Sequence, residues 1–411
     1  MGFNPSNIRI IWIAPRSPLG APDGARHATC TLIRHLTQLN LGIDLVCIVP
    51  ATESVNSAAV KNQLDVLSCF VIPRSRSLLL RLPSLTTPLT FRAFAASGVR
   101  KAIKEHLAFL LKSASPTQEI FIVFDGLHPF AALSEADLQE LSSKCRGVVY
   151  RAHNVETTFW EQCEERARTP WFRWFFRHQA ALVRSFERRI AQSVNLIAPV
   201  SEEDAAKFRS LAPGAVISVT PIGMDFPDEG TILPVRDSAK FELLFIGRLD
   251  WIPNRAGLQW FLEKIWPRLI DKRKDMTLKI AGVGDGRWLE KFRGLAGVEF
   301  LGRVDDVKPL YESSTLSIAP LFQGSGTRVK ILEAARYGRA VLTTTLGAEG
   351  SGLVPGISYF RAESQEEWLN LLGTMTKDDC RKTGLLAMQS IRRRFNAETI
   401  AKQFIREVAA I

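Results

Sequence analysis

At 411 residues the chain is too long for one small domain and natural for two of about 200 residues each. Its 46% hydrophobic and 23% charged residues are those of an ordinary globular protein, which excludes a disordered chain. The net charge of +11 favours an anionic partner, yet it splits into +4 over residues 1–230 (25 basic, 21 acidic) and +7 over 231–411 (28 basic, 21 acidic), so no basic tail accounts for it. No apolar run reaches the roughly 18 residues of a membrane span; Ile120–Phe124 and Leu78–Leu80 are strand-length or shorter. The opening MGFNPSNIRIIWIAP lacks the layout of a signal peptide, although Gly2 and Ser6 match a myristoylation pattern that is common by chance. Cys30, Cys47, Cys69, Cys145, Cys163 and Cys380 form no close pair, which argues against a zinc cluster, a redox motif or a disulfide framework and fits a reducing cytoplasm.

Strand and helix patterns alternate twice along the chain. Ile8–Ala14 and Leu45–Val49 are apolar, β-branched runs on either side of a helical segment, Ala28–Leu39. Ile120–Phe124, Gly147–Tyr150 and Asn195–Val200 continue that series. Pro221–Ser238, with three prolines, reads as a linker. A second series follows at Glu242–Gly247, Thr277–Gly282, Val298–Leu301, Leu316–Pro320 and Ala340–Thr344, with helical stretches at Gly257–Leu269, Arg287–Arg293 and Val329–Tyr337. Continuous apolar strands alternating with helices predict parallel sheets covered on both faces, hence two doubly wound α/β domains.

In such sheets ligands lie at the carboxyl ends of the strands. The first strand runs into PRSPLGAPDGARH, where Gly24 either marks a turn or lets the backbone approach a phosphate at a helix start. After Tyr150 comes RAHNVE, which places His153 beyond a strand beside Asn154 and Glu156; a lone histidine there is either structural or catalytic. ELLFIG is followed by Arg248, and Arg255 comes before the next helix. LKIAG leads into Gly282, Gly284 and Gly286, a weak dinucleotide-type loop with no evident acidic ribose partner. Finally LSIAP enters QGSGTRVKILEAARYG, whose helix opens with Thr327, Arg328 and Lys330 and holds Glu333. Free amides and two cations there suit a diphosphate, and Glu333 suits a ribose diol; a solvated basic helix end is the plainer alternative.

The order and spacing of PDGARH, RAHNVE, APVSEED, TPIGMD, FIGRLDW, IAGVGDG, FLGRVDD and GSGTRVKILEAARYGRAVLTT resemble the retaining glycosyltransferases of family four (glycosyl transferases group 1). RAHNVE, PWFRWFFRHQAALVRSFERR and WIPN resemble the bacterial branch that builds surface glycans. The resemblance implies the GT-B fold, two Rossmann-like domains with parallel sheets facing a central cleft. It implies an acceptor-side domain over 1–228, a donor-binding domain over 229–394 and a terminal segment, 395–411, whose helix Ala397–Ala409 crosses back to the first domain.

Carried over by motif, His153 is the histidine near the transferred sugar and acceptor, and Arg248 neutralises the leaving diphosphate. Gly24 approaches the donor phosphates, Gly302 and Val304 hold the base, and Glu333 binds the ribose. Gly247, Gly282, Gly284, Ser325, Gly326, Thr327 and Arg328 complete the expected donor site, with Lys330 as a third catalytic group. The chain departs from the pattern in three places: Ser325 stands where the first Glu of the family's pair belongs, the usual Lys after the GR motif is replaced in the neighbourhood of Asn254 and Arg255, and Asp23 precedes Gly24 in place of a second glycine. Arg328 and Lys330 are available to replace the lost charge.

The implied reaction is electrostatic: a cation-like sugar departs from a nucleoside diphosphate whose growing charge needs preorganised donors. The sequence holds no Asp-x-Asp motif, and the expectation is a metal-independent enzyme with no cofactor and a nucleotide-sugar as substrate. The acceptor expected is a glycan or a lipid-linked molecule. Two readings compete with transfer: a nucleotide-sugar 2-epimerase on the same fold, weakened by Ser325, and a degenerate donor-binding scaffold subunit.

Residues 66–104 hold seven basic residues and no acidic one, and 166–189 hold seven arginines against Glu187, interleaved with Trp171, Phe172, Trp174, Phe175 and Phe176. The stretches 74–104 and 166–189 therefore suit an anionic membrane surface, unless they pack within the first domain. The expected place is the cytoplasm, peripheral on the inner membrane face. Nucleic acid is not expected, since no helix-turn-helix, RNP or zinc pattern accompanies the charge.

Overall fold

The computed structural model of the chain describes residues 7–20, 24–75, 87–226, 239–324 and 326–411. Gly2, Ser6, Asp23, Arg76, Leu78–Leu80, Arg81, the linker from 227 to 238 and Ser325 lie outside the described residues. Two compact units result, one of residues 1–20, 25–223 and 397–411, the other of 21–24 and 224–396.

The first unit runs β1 (Ile8–Ala14), α1 (Gly24–Gln38), β2 (Gly42–Pro50), α2 (Ser57–Leu64), β3 (Ser68–Arg74), α3 (Ser97–Ser113), β4 (Glu119–Asp125), α4 (Glu135–Lys144), β5 (Gly147–Ala152), α5 (Glu156–Glu165), α6 (Pro170–Ser193), β6 (Leu196–Pro199) and α7 (Glu202–Leu211). Its sheet is parallel with the order β3-β2-β1-β4-β5-β6. Period-two alternation divides β1 between two cores. Ile11 and Ile13 join Ile103 and Leu107 of α3, whereas Ile10 and Trp12 join Leu32 and Leu36 of α1. The second core is completed from the far end of the sequence by Ala401, Phe404, Ile405 and Val408, with Phe404 6.1 Å from Trp12 between ring centroids. β3 is absent from the expected strands because Pro73 interrupts it and only Ile72 of its residues is fully buried; it is an edge strand.

The second unit runs β7 (Phe241–Ile246), α8 (Ile252–Trp260), α9 (Trp266–Lys272), β8 (Met276–Ala281), β9 (Val298–Gly302), α10 (Lys308–Ser313), β10 (Leu316–Ala319), α11 (Val329–Arg336), β11 (Ala340–Thr343), α12 (Thr345–Ala348), β12 (Phe360–Arg361), α13 (Gln365–Thr374) and α14 (Lys377–Arg394). The helix α15 (Ala397–Ala409) follows and belongs to the first unit. The second sheet is also parallel, in the order β12-β11-β10-β7-β8-β9. The helix expected over Gly257–Leu269 is longer and broken in register. A π turn, Phe261–Ile265, joins α8 to α9, and the Trp266 amide donates to Phe261 O, five residues back. Pro267 explains the break, because it offers no N–H to continue the α ladder. Arg287–Phe292 is a 3₁₀ helix rather than an α-helix.

Each strand order reverses once, between β1 and β4 in the first sheet and between β7 and β10 in the second. The loops leaving those strands border the crevices in which doubly wound sheets hold ligands.

Candidate active site

In the second unit the reversal brings the exit of β7 beside the loop that precedes α11. Gly247 ends the β7 exit, and a Cβ there would lie 2.7 Å from Asn254 Nδ2 and 3.2 Å from Lys330 Nζ. Asn254, buried in the first turn of α8, is the link: its Nδ2 donates to Arg248 O at 2.9 Å, and its Oδ1 accepts from Lys330 Nζ at 2.5 Å. The Lys330 ammonium also sits 4.7 Å above the Phe245 ring centre. Burial, and then the neighbouring Arg328, bring its pKa down to about 7. Arg328 is itself buried and donates to Gly326 O at 2.6 Å, so its charge is fixed at the entrance of α11. Arg248 remains half-exposed, with Nε and Nη2 on the two Asp250 oxygens at 3.1 and 2.8 Å. α11 thus brings the Lys330 ammonium to the Asn254 side chain, in the neighbourhood where the Lys after the GR motif is missing.

Glycines set the floor beside this cluster. A Cβ on Gly282 would fall 1.9 Å from Gly247 O, so the ends of β7 and β8 can approach as they do only without side chains. Gly247 N donates to Ala281 O at 3.2 Å and Gly282 N to Gly302 O at 2.8 Å, which carries the ladder to β9. Gly284 and Gly302 have φ of +99° and +65°, conformations that favour glycine. A cavity of about 520 Å³ opens here, lined by Gly282, Gly284, Gly302, Leu249, Phe300 and Arg303 among others. Val304 lies two residues beyond β9, and Gly326 (φ +78°) and Thr327 lie just before α11. Thr327 Oγ1 is buried and has no hydrogen-bond partner among the described residues. One turn into α11, Glu333 accepts from Tyr311 Oη at 3.1 Å, and Tyr311 stacks on Tyr337. Burial raises the Glu333 pKa against the opposing pull of Tyr311 and Arg336.

Gly24 begins α1 beyond β1 and is grouped with the second unit, whereas His153 lies just past β5 in the first. His153 is part of a tight group around Asp125, the last residue of β4. Asp125 accepts from Thr29 Oγ1 at 2.5 Å and Arg151 Nη1 at 3.0 Å, and it lies 2.8 Å from His153 Nε2. Burial opposes its charge, but His153, Arg151 and Thr29 outweigh burial and hold the carboxyl well below the usual range. His153 is shifted down by burial and Arg151 despite Asp125. Lowered in this way it is neutral at pH 7, with Nε2 between Asp125 Oδ1 at 2.8 Å and Arg151 Nη1 at 3.0 Å.

Beside it is a second group that the sequence reading missed. Glu187 of α6, fully buried, accepts from the backbone N of Glu156 and of Thr157, both at 3.0 Å, and from Thr157 Oγ1 at 2.7 Å. It thereby caps α5 from another helix, and Tyr150 Oη adds a 3.3 Å bond. Burial and then Glu187 raise the Glu156 pKa to about 8. His128, pressed against Phe91 and Phe94, drops to about 3 through burial and the charges of Arg16 and Arg74. Its 3.8 Å approach to Glu156 is therefore not an ion pair at neutral pH.

The comparisons with known proteins support a glycosyltransferase. Residues 240–376 match the family model of glycosyl transferases group 1. That stretch contains the whole Arg248–Asn254–Lys330 cluster and the glycine floor. Over 277 residues the chain is 21% identical to an uncharacterized 44.6 kDa protein in the cps region of Klebsiella pneumoniae, covering 62% of this chain and 67% of that one. It is 31% identical over 119 residues to an uncharacterized glycosyltransferase of Haemophilus influenzae; that match covers 27% of this chain and only 33% of the relative. Among solved structures, sucrose-phosphate synthase from Thermosynechococcus elongatus superposes with a TM-score of 0.69 at 15% identity, covering 98% of this chain and 99% of that one. Anabaena HepE in complex with UDP and glucose gives 0.62 at 15% identity, over 98% and 100% of the chains. The pneumococcal O-GlcNAc transferase GtfA in complex with UDP and GlcNAc gives 0.66 at 8% identity, over 98% of each. The fold is that of the GT-B glycosyltransferases, and the domain match supports a glycosyltransferase.

Proposed function

We propose that the protein is a retaining, metal-independent glycosyltransferase of the family-four type. It moves a sugar from a nucleotide-sugar onto a glycan or lipid-linked acceptor during bacterial polysaccharide or glycoconjugate synthesis, at the inner face of the cell membrane. The observation that carries this reading is the convergence of Arg248, Arg328 and Lys330 on the loops at the β7–β10 reversal, with Asn254 bonded to Lys330 and to the Arg248 backbone. The diphosphate of the donor fits these cations and the free amides at the start of α11. The cavity over Gly282, Gly284 and Gly302 suits the nucleoside, and Glu333 its ribose hydroxyls.

As the glycosidic bond to the diphosphate breaks, negative charge grows on the leaving group, and fixed cations stabilise that charge more than the ground state. A lysine with a pKa of about 7 gains its proton readily when a dianion arrives. His153 acts on the transferred sugar or its acceptor, oriented by Asp125. The UDP present with HepE and GtfA supports a nucleotide donor, and the cps-region relative supports a surface-glycan role. The epimerase and scaffold readings are not favoured by the transferase match over residues 240–376.

The test is thermal stabilisation by UDP, GDP, ADP, dTDP and CMP and by their sugar forms, with and without EDTA. A shift with one nucleotide family that EDTA leaves unchanged is expected. Transfer should fall by roughly 10²-fold or more in His153→Ala and Arg248→Ala. Stabilisation by none of the nucleotides, or near-wild-type turnover in both variants, would overturn the assignment.

A further inference from the structure

The two basic stretches singled out in the sequence fold differently. Over 87–104, α3 turns Val99 and Ile103 inward, Lys104 pairs with Asp137 and Lys101 with Glu105. Phe109, further along the same helix, stands exposed. The α6 stretch does the opposite. Its second half is anchored in the first unit by Val183, Glu187 and Ile190, while its first turn carries Trp171, Phe172 and Trp174 at 68%, 53% and 52% exposure.

These rings are organised, not scattered. Trp171 stacks on Trp174 at 5.2 Å and Trp174 on His178 at 5.9 Å, along the i, i+3, i+7 stripe of the helix. Phe172 stacks on Phe176 at 6.2 Å along the neighbouring i, i+4 stripe. Thr169 caps the helix through a bond from Phe172 N, and Pro170 occupies its first position, so the turn that presents the rings is preorganised. Arg166, Arg168 and Arg173 are exposed around them, and no acidic residue occurs between 166 and 177. The lower shaft of the helix is steadied by Arg177–Glu164 and by Arg184–Glu161, which tie α6 to α5.

A patch of three large exposed rings ringed by arginines is costly in water and matches the boundary of an anionic bilayer, where indoles settle at headgroup depth and guanidinium groups pair with phosphates. We infer that the start of α6, through Trp171, Phe172 and Trp174 with Arg166, Arg168 and Arg173, docks the protein on an anionic lipid surface. The charge selects this occupant over a protein partner: Arg168 and Arg173 are exposed beside the rings and residues 166–186 hold no acidic side chain, and a phospholipid headgroup layer supplies the opposite sign. The inference specifies the membrane contact in the function proposed above and rests on residues of the first unit, none of them among the expected nucleotide-binding residues.

The test is sedimentation of the full chain with unilamellar vesicles of phosphatidylcholine, with and without phosphatidylglycerol. Wild type should bind the anionic vesicles and lose binding as salt rises. Trp171→Ser with Trp174→Ser should weaken binding about tenfold or more. Arg168→Ser with Arg173→Ser should weaken it on anionic vesicles and leave the neutral baseline unchanged. Phe109→Ser should bind as wild type does. All these residues are exposed, and an unchanged melting temperature checks each fold. Wild-type binding by the tryptophan variant, no binding by wild type, or wild type forming dimers that the tryptophan substitutions abolish in place of vesicle binding would overturn the inference. Nucleotide stabilisation measured on the same samples separates the two proposals: it survives in every α6 variant if only the docking inference fails, and is absent from wild type if the transferase reading fails.

Discussion

Lys330 Nζ lies 2.5 Å from Asn254 Oδ1, a contact that joins the first turn of α11 to the first turn of α8 across the exit of β7. The ammonium is poorly hydrated there and titrates near 7, well below an ordinary lysine. Affinity for a nucleoside diphosphate should consequently fall as pH rises above about 7, by up to tenfold per unit, because binding takes up a proton. Lys330→Met should bind at least tenfold more weakly at pH 6.5 and show only the titration of the nucleotide itself. Calorimetric titration from pH 6 to 9 checks both. Stability carries the opposite slope. Between about 7 and the ordinary lysine value the unfolded chain holds the extra proton, so ligand-free wild type gains stability with rising pH relative to Lys330→Met.

Asp125 and His153 should separate a structural role from a chemical one. Asp125→Asn leaves Arg151 fully buried without its carboxylate, and two of its nitrogens already lack partners among the described residues. A loss of about 3–5 kcal/mol in unfolding free energy is expected. His153→Gln removes no buried countercharge and should cost about 1 kcal/mol while suppressing transfer. Denaturant titration beside a transfer assay distinguishes them; equal stability of the two variants would contradict this account.

The strands were legible because parallel strands buried on both faces read as apolar runs, as in Ile10–Ala14 of β1 and Leu243–Ile246 of β7. The glycines and cations at their ends were legible because topology puts ligands there. What escaped the sequence is what depends on distant side chains meeting. Nothing local shows that Lys330 reaches Asn254, 76 positions earlier, or that Glu187 caps α5 from 30 positions away. Asp125 did carry a signal, an acidic residue closing the apolar run of β4 at its carboxyl end, just as His153 follows β5. β3 was missed for a different reason: an edge strand need bury only part of its surface, and Pro73 breaks its pattern.

Gly282→Ala should damage the second unit out of proportion to one methyl group. The added carbon would lie 1.9 Å from Gly247 O, a backbone atom that cannot step aside without breaking the Gly247–Ala281 and Gly282–Gly302 bonds. The expected cost is about 3 kcal/mol or more, with weaker nucleotide binding as the cavity floor lifts. Gly294→Ala, where an added Cβ meets nothing within 4 Å, is the control and should be near neutral. Chemical denaturation and nucleotide titration of both variants make the comparison.

Glu156 should set a pH dependence of stability in the first unit. Its carboxyl is raised to about 8 by burial and by Glu187, whereas in the unfolded chain it titrates at its ordinary value. Between about pH 4.5 and 8 the folded state therefore holds a proton that the unfolded state has released. Its contribution to stability is complete below that window and fades as pH rises through the folded value. Glu156→Gln mimics the protonated form, so its stability should exceed that of wild type increasingly from pH 6 to 8.5, and the two should converge near pH 4.5. Glu187→Gln should not reproduce this behaviour. It weakens the acceptor that serves the Glu156 and Thr157 amides and the Thr157 hydroxyl, and should cost about 1–3 kcal/mol at low as well as neutral pH. Denaturant midpoints for the three proteins across this range are the measurement. Parallel curves for wild type and Glu156→Gln would mean that Glu156 ionises in the folded protein as it does in the unfolded chain.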